Sequence, residues 1–175
     1  MHRLPGHSRG TRVERAPPPG QDGRGRREFY FTALGALIAD QASKVLVRVF
    51  VPSGGSVTVI PGVFDITPES NPGAAFGILQ NWGHLLALIS LVVVFALVKF
   101  RLQRSRSRLL AVALGLLLGG ATGNLIDRLT IGAVFDFLDF HPWPVFNLAD
   151  AAVTLGGGLL LVYWIAAPRQ PSTDN

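Results

Sequence analysis

Four apolar runs, at residues 29–51, 83–100, 109–129 and 148–167, divide this chain, and lysine and arginine gather in alternate gaps between them. Seven arginines precede the first run, and Lys99, Arg101, Arg104, Arg106 and Arg108 cluster at the end of the second. Segments 52–81 and 132–146 contain neither residue type. A helix rising about 1.5 Å per residue crosses a hydrocarbon core in roughly 20 residues, and cytoplasmic loops carry the lysine and arginine excess. The pattern therefore predicts an α-helical integral membrane protein with four transmembrane helices. Both termini are expected in the cytoplasm and the two loops without lysine or arginine outside it. In the first of these loops, SVTVIPGVFDIT alternates well enough for two short strands around Pro61-Gly62. The expected fold class is thus four helices carrying a small extracytoplasmic β-sheet.

Composition supports this class. Aliphatic and aromatic residues make up 49% of the chain, charged residues 15%, and mean hydropathy is +0.37. The net charge of +5 follows from topology, because the basic residues flank apolar runs and do not alternate with aromatics on a polar face. No nucleic-acid partner is expected. The absence of cysteine excludes disulfides and thiol chemistry. The 175 residues suit one membrane domain at 29–167, between an arginine-, proline- and glycine-rich disordered tail at 1–28 and a short cytoplasmic tail at 168–175. The N-terminal tail is either passive or a binder of acidic lipid headgroups.

Charge inside the apolar runs marks function by default, since ionisable groups at membrane depth are costly unless paired or facing water. Asp40, Lys44 and Arg48 follow one another at i, i+4 in the first run, either as an internal ion pair or as a ladder facing a polar cavity. Residues 119–150 bring Asn124, Asp127, Arg128, Asp136, Asp139, Asn147 and Asp150 to the end of one run and the start of the next. Gly115, Gly119 and Gly123 form a small-residue seam for close helix packing.

Asp136 and Asp150 stand out, because the loop between them returns the chain to the same membrane surface. HPWP, from His141 to Pro144, is a natural reversal, and the pieces AVF and PVF beside it are expected to pair as strands. Two carboxyls brought together share a proton, so that one can activate water while the other donates to the carbonyl or the leaving amine. Asn147 is a helix N-cap candidate, which puts Asp150 at the third helical position and predicts that it holds the negative charge while Asp136 holds the proton. The alternatives are a plain capping acid at 150 and a solvated loop carboxylate at 136. Asp127 is expected to pair with a basic group, Asp139 to face water, and His141 to be a turn residue. No spacing suggests a metal or other cofactor.

Five blocks, DQASK (40–44), NPGAAFGIL (71–79), GGATGNLIDR (119–128), VFDF (134–137) and FNLAD (146–150), occur in the order found in the bacterial lipoprotein signal peptidases, and the chain resembles this signal peptidase II family over about residues 30–165. The resemblance implies an aspartic endopeptidase that cleaves prolipoproteins before a diacylglyceryl-modified cysteine, using Asp136 and Asp150. It also implies that Asp40, Lys44, Asn71, Gly73, Asn124, Arg128 and Asn147 line the substrate site, with Asn71 and Arg128 near the substrate backbone. A bacterial cytoplasmic-membrane location, contact with membrane lipids, an extracytoplasmic site and sensitivity to globomycin follow from the same likeness. Phe135 and Ala151 depart from the usual valine and small hydroxyl residue, which affects pocket shape. Two other classes are compatible with the residues alone: a small ion- or proton-coupled transporter and a noncatalytic assembly factor.

Overall fold

The computed structural model describes residues 21–73, 83–103 and 107–166. The tail before residue 21, most of the NPGAAFGIL block, Trp82, and the C-terminal tail with Arg169 lie outside these residues. Four helices, α1 (Gln21–Phe50), α2 (Gly83–Gln103), α3 (Arg108–Ile131) and α4 (Leu148–Ala166), alternate with three strands, β1 (Val57–Ile60), β2 (Phe64–Asn71) and β3 (Val134–Phe140). Helix α1 begins well before residue 29, so residues 21–28 belong to the helix and not to a disordered tail. This end of the helix docks on α3, where Phe29 is fully buried among Leu110, Ala111 and Leu114 and Glu28 meets Arg108 at 2.9 Å.

By length and composition, α3 and α4 can each cross a membrane. The apolar part of α2 is the shorter stretch His84–Lys99, and α1 carries Asp40, Lys44 and Arg48 in its second half. The distribution of side chains is inverted relative to a water-soluble bundle. Phe31, Val49, Phe95, Trp164 and Ile165 stand outside, each more than 60% exposed, whereas Asp40, Lys44 and Asp127 are 0–1% exposed inside. An apolar exterior over a charged interior suits a lipid surround.

Helix α3 is the hub that α1, α2 and α4 pack against, and glycines make the close approaches possible. A Cβ on Gly119 would fall inside contact with the Ala33 carbonyl of α1, and one on Gly120 with the Ala149 carbonyl of α4. Gly115 and Gly123 continue the α1 seam as the sequence predicts. The α4 seam, Gly120 with Gly156, is a second one.

The strands form one antiparallel sheet in the order β1-β2-β3. Gly62, at φ 73, closes the β1–β2 turn, where a side chain would be strained. The β2–β3 register places Glu69 opposite Asp136 and Asn71 opposite Val134, after an irregularity between Ile66 and Glu69 that contains Pro68. The expected AVF–PVF pairing is not what forms. Val134 and Phe135 pair with Asn71 and Ser70 of β2, while Phe146 makes a single bridge to Leu138 before the chain enters α4. Asn147 follows at once and must turn the backbone into the helix cap, which leaves no length for a further strand. Along β3, Val134 and Asp136 face the cavity described below, while Phe137 joins Val47 and Val51 in an apolar cluster with Phe135 and Leu148.

Replacement Gly120→Ala is expected to push α4 away from α3 and to lower stability by roughly 1–3 kcal/mol. Gly157→Ala, where a Cβ meets open space, is the matched control. Thermal unfolding in detergent compares them, and equal midpoints would contradict the packing account.

Candidate active site

The first turn of α4 is built by two side chains. Asn147 caps it, its Oδ1 accepting from the Asp150 amide at 2.9 Å, while the Asn147 amide donates back to Asp150 Oδ2 at 3.3 Å. This is a reciprocal capping box with Asp150 in the third helical position, as its spacing predicts. The second capping group comes from a distant part of the chain. Asp40 Oδ1 of α1 accepts from the Ala149 amide at 2.9 Å, answering another amide that lacks an intrahelical partner.

Asn147 is fully buried, and its amide nitrogen reaches the other aspartate, donating to Asp136 Oδ1 at 2.6 Å. Asn71, at the end of β2, donates to Asp136 Oδ2 at 3.1 Å, while its own carbonyl accepts from the Gly73 amide at 3.0 Å. Asn124 of α3 donates to Asp150 Oδ1 at 2.7 Å and accepts from Asn147 Nδ2 at 3.1 Å. Thus three asparagines on three different elements hold two carboxyls, and both carboxyls line one cavity of about 960 Å³.

Behind the asparagines lies a closed charge cluster. Lys44 Nζ is 2.8 Å from Asp40 Oδ2 and 2.8 Å from Asp127 Oδ2, and donates to Asn124 Oδ1 at 3.4 Å. Gln41 donates to Asp40 at 3.1 Å and to the Gly123 carbonyl at 3.3 Å. Arg48 lies 3.9 Å from Asp127 and over the Phe135 ring at 4.3 Å, and the Phe135 amide donates to Asp127 Oδ2 at 3.1 Å. The i, i+4 ladder therefore contains both an internal ion pair and a tether to α3 and β3.

Of the residues expected to line the site, Asn71, Gly73, Arg128, Asp136 and Asp150 border the cavity. Asp40, Lys44, Asn124 and Asn147 do not; they lie beneath its wall and hold it in place. Packing accounts for the difference, since the polar atoms of these four are spent on one another and on the Ala149 amide behind the two aspartates. Asp127 pairs with Lys44 as its position suggests. Asp139 departs from a solvated role, accepting from Thr67 at 3.1 Å. His141 sits between Asp65 at 3.0 Å and Asp139 at 3.5 Å and does not border the cavity. The hydrogen bond to Asp65 holds its imidazole above the usual histidine range. These three residues have metal-ligand chemistry and ligand atoms within 4.8 Å of one another, but the ring's contacts with both carboxylates already account for the cluster as an ion pair. Sequence reasoning passed over Glu69, Trp143 and Thr154, which also border the cavity. For Glu69 the signal was its two-residue spacing from Asn71 in a strand, which puts both on one face.

Asp136 is pushed up from the ordinary 3.8 to about 7, first by burial and next by the charge of Asp150. Such a carboxyl binds its proton more tightly folded than unfolded. Below about pH 4 both states are protonated and nothing is lost, whereas stability falls as pH climbs from there through about 7, where the full cost is reached. Asp136→Asn removes this titration and also one acceptor for Asn71 or Asn147, so its unfolding midpoint relative to the unsubstituted protein is expected to rise by about 2–5 °C from acid to alkaline pH. A pH-independent effect would contradict the assignment. Lys44→Met, which removes the ammonium between two buried carboxylates, is expected to cost on the order of 3–5 kcal/mol or to prevent folding, as read by detergent-solubilised yield and thermal unfolding.

Paired aspartates in a cavity, set in a helical chain with an apolar exterior, have the build of an aspartic membrane peptidase. Comparison with known proteins narrows this. The family model described as signal peptidase (SPase) II matches residues 32–166. A lipoprotein signal peptidase of Geobacter metallireducens is 41% identical over 157 residues, covering 85% of this chain and 97% of that protein. One from Pelotomaculum thermopropionicum is 46% identical over 125 residues, covering 71% and 82%. A solved bacterial membrane enzyme superposes with a TM-score of 0.77 at 31% identity, covering 87% of this chain and 94% of its own. The chain belongs to the signal peptidase II family. A transporter finds no support among these relatives, and the buried charges close on one another instead of marking a path.

Proposed function

We propose that this protein removes signal peptides from bacterial prolipoproteins by hydrolysing the peptide bond before a diacylglyceryl-modified cysteine, with Asp136 and Asp150 as its catalytic pair. The observation that carries the reading is the convergence of these two carboxyls, from β3 and from the first turn of α4, on one cavity through a shared asparagine. Family membership supplies the reaction class.

In this reading Asp150 takes a proton from a water molecule and the resulting hydroxide attacks the scissile carbonyl. Asp136, which keeps its proton near neutrality, donates to the carbonyl oxygen. Collapse of the tetrahedral intermediate returns that proton to Asp136 and passes the one on Asp150 to the leaving amine, so both residues are regenerated. The capping box suits Asp150 to the charged role, because a helix N-terminus favours a negative charge. Arg128 and the second amide hydrogen of Asn71 offer donors to the substrate backbone, Gly73 keeps Asn71 in place, and Val153, Leu155 and Trp143 give the cavity an apolar side for lipid and side chains. Partial exclusion of water strengthens each of these interactions.

The layout that fits this chemistry has all four helices spanning the cytoplasmic membrane, both termini inside, and the sheet forming a cradle at the extracytoplasmic face. Lysine and arginine placement supports it. The substrate then enters sideways, acyl chains in the bilayer, peptide bond at the outer boundary.

The test is cleavage of a diacylglyceryl-modified precursor by purified protein in detergent, read as a gel shift. Asp136→Asn and Asp150→Asn are each expected to lower kcat by about 10²- to 10⁴-fold, and globomycin to inhibit the unsubstituted protein. Because Asp136 must carry a proton, kcat/KM is expected to fall as pH rises through about 7. Full cleavage by both variants would remove the mechanism.

A further inference from the structure

Arg128 supplies the positive charge of the cavity, in the last turn of α3. It faces Asp150 of α4, Asp136 of β3 and Asp127 of its own helix, and Glu69 of β2 borders the same cavity. A guanidinium among carboxylates in partly dry surroundings ordinarily closes on one of them in a bidentate pair. Here it does not, since the ion pairs among the described residues do not include Arg128 and Asp127 is taken by Lys44. Its Nη1 instead donates to Ser90 Oγ at 3.3 Å, on α2.

The polarity of that contact is unambiguous. The Ser90 hydroxyl gives its hydrogen to the Leu86 carbonyl at 2.8 Å, so its oxygen meets the guanidinium as an acceptor, and arginine can only donate. Ser90 does not border the cavity, and its link to it is this contact with Arg128. We propose that Ser90 is a positioning residue, which holds the Arg128 guanidinium against α2 and apart from the two cavity carboxyls so that its remaining N–H donors stay free for the substrate backbone. The assignment rests on the peptidase reading above.

Two consequences follow when the hydroxyl is removed. The guanidinium is released toward Asp136 and Asp150, so the substrate loses an aligned donor. A cation nearer the carboxyls also favours their ionised forms, so Asp136 gives up its proton at a lower pH.

The experiment is steady-state cleavage of the lipid-modified precursor by Ser90→Ala, Ser90→Thr and Arg128→Gln, singly and combined, in the full-length protein. On the acid side of the pH profile, Ser90→Ala is expected to raise KM about three- to tenfold with kcat within about twofold. The alkaline fall of kcat/KM should also move to lower pH. Ser90→Thr, which keeps the hydroxyl, is expected to restore both, and Ser90→Ala to add nothing in the Arg128→Gln background. An unchanged KM and pH profile in Ser90→Ala, or an undiminished effect when Arg128 is absent, would overturn the assignment while leaving the peptidase reading intact. Failure of the unsubstituted protein to cleave would remove the peptidase reading and, with it, this role for Ser90.

Discussion

One buried amide, the side chain of Asn147, ties the architecture to the chemistry. Its oxygen caps α4 and its nitrogen holds Asp136, so the start of a helix and the middle of a strand are joined by one rigid group. It is a group that touches both aspartates, and a carboxyl at the start of a helix and one on a strand have no covalent reason to keep a common geometry. Asn124 and Asn71 complete the hold from two other elements. Asparagine suits the task physically. It donates and accepts at once without carrying charge, so it orients carboxyls without neutralising them.

The cluster of Asp40, Lys44 and Asp127 serves that arrangement from below. Burying three charges is costly, and a well-packed apolar core would stabilise the bundle at least as well. What the charges provide is position. Asp40 caps the Ala149 amide, Lys44 reaches Asn124, and Asp127 holds the Phe135 amide, so each charged group ends on an element that carries a site residue. Glycines in α3 make these contacts reachable by letting α1 and α4 approach the hub helix closely. At Asp136 burial and a neighbouring charge keep a proton in place at the cost of folded-state stability near neutral pH, and the proposed mechanism is what would use that proton.

Much of this was legible before any coordinates. Hydrophobic runs and turn residues located the helices and the hairpin, and the FNLAD spacing yielded the cap with Asp150 in its third position. Convergence of Asp136 and Asp150 could be argued from the returning loop. The partner of β3 could not, because strand pairing is set by register across a sheet, and β2 lies more than sixty residues earlier in the chain. The division of the polar residues between wall and foundation was equally hidden. Spacing puts Asp40 and Lys44 on one helical face without saying whether that face meets a cavity or another helix.

The amino-acid order by itself determined which segments are apolar, where lysine and arginine accumulate, how α4 is capped, and which residue types could do acid-base work, because all of these depend on groups close together along the chain. Only the tertiary structure decided that Asn147 would hold Asp136, that Asp40 would cap a helix 109 residues away, and that Arg128 would rest on Ser90 and not on a carboxylate. Those outcomes depend on distances of a few ångströms between elements brought together by packing, and no local pattern encodes such distances.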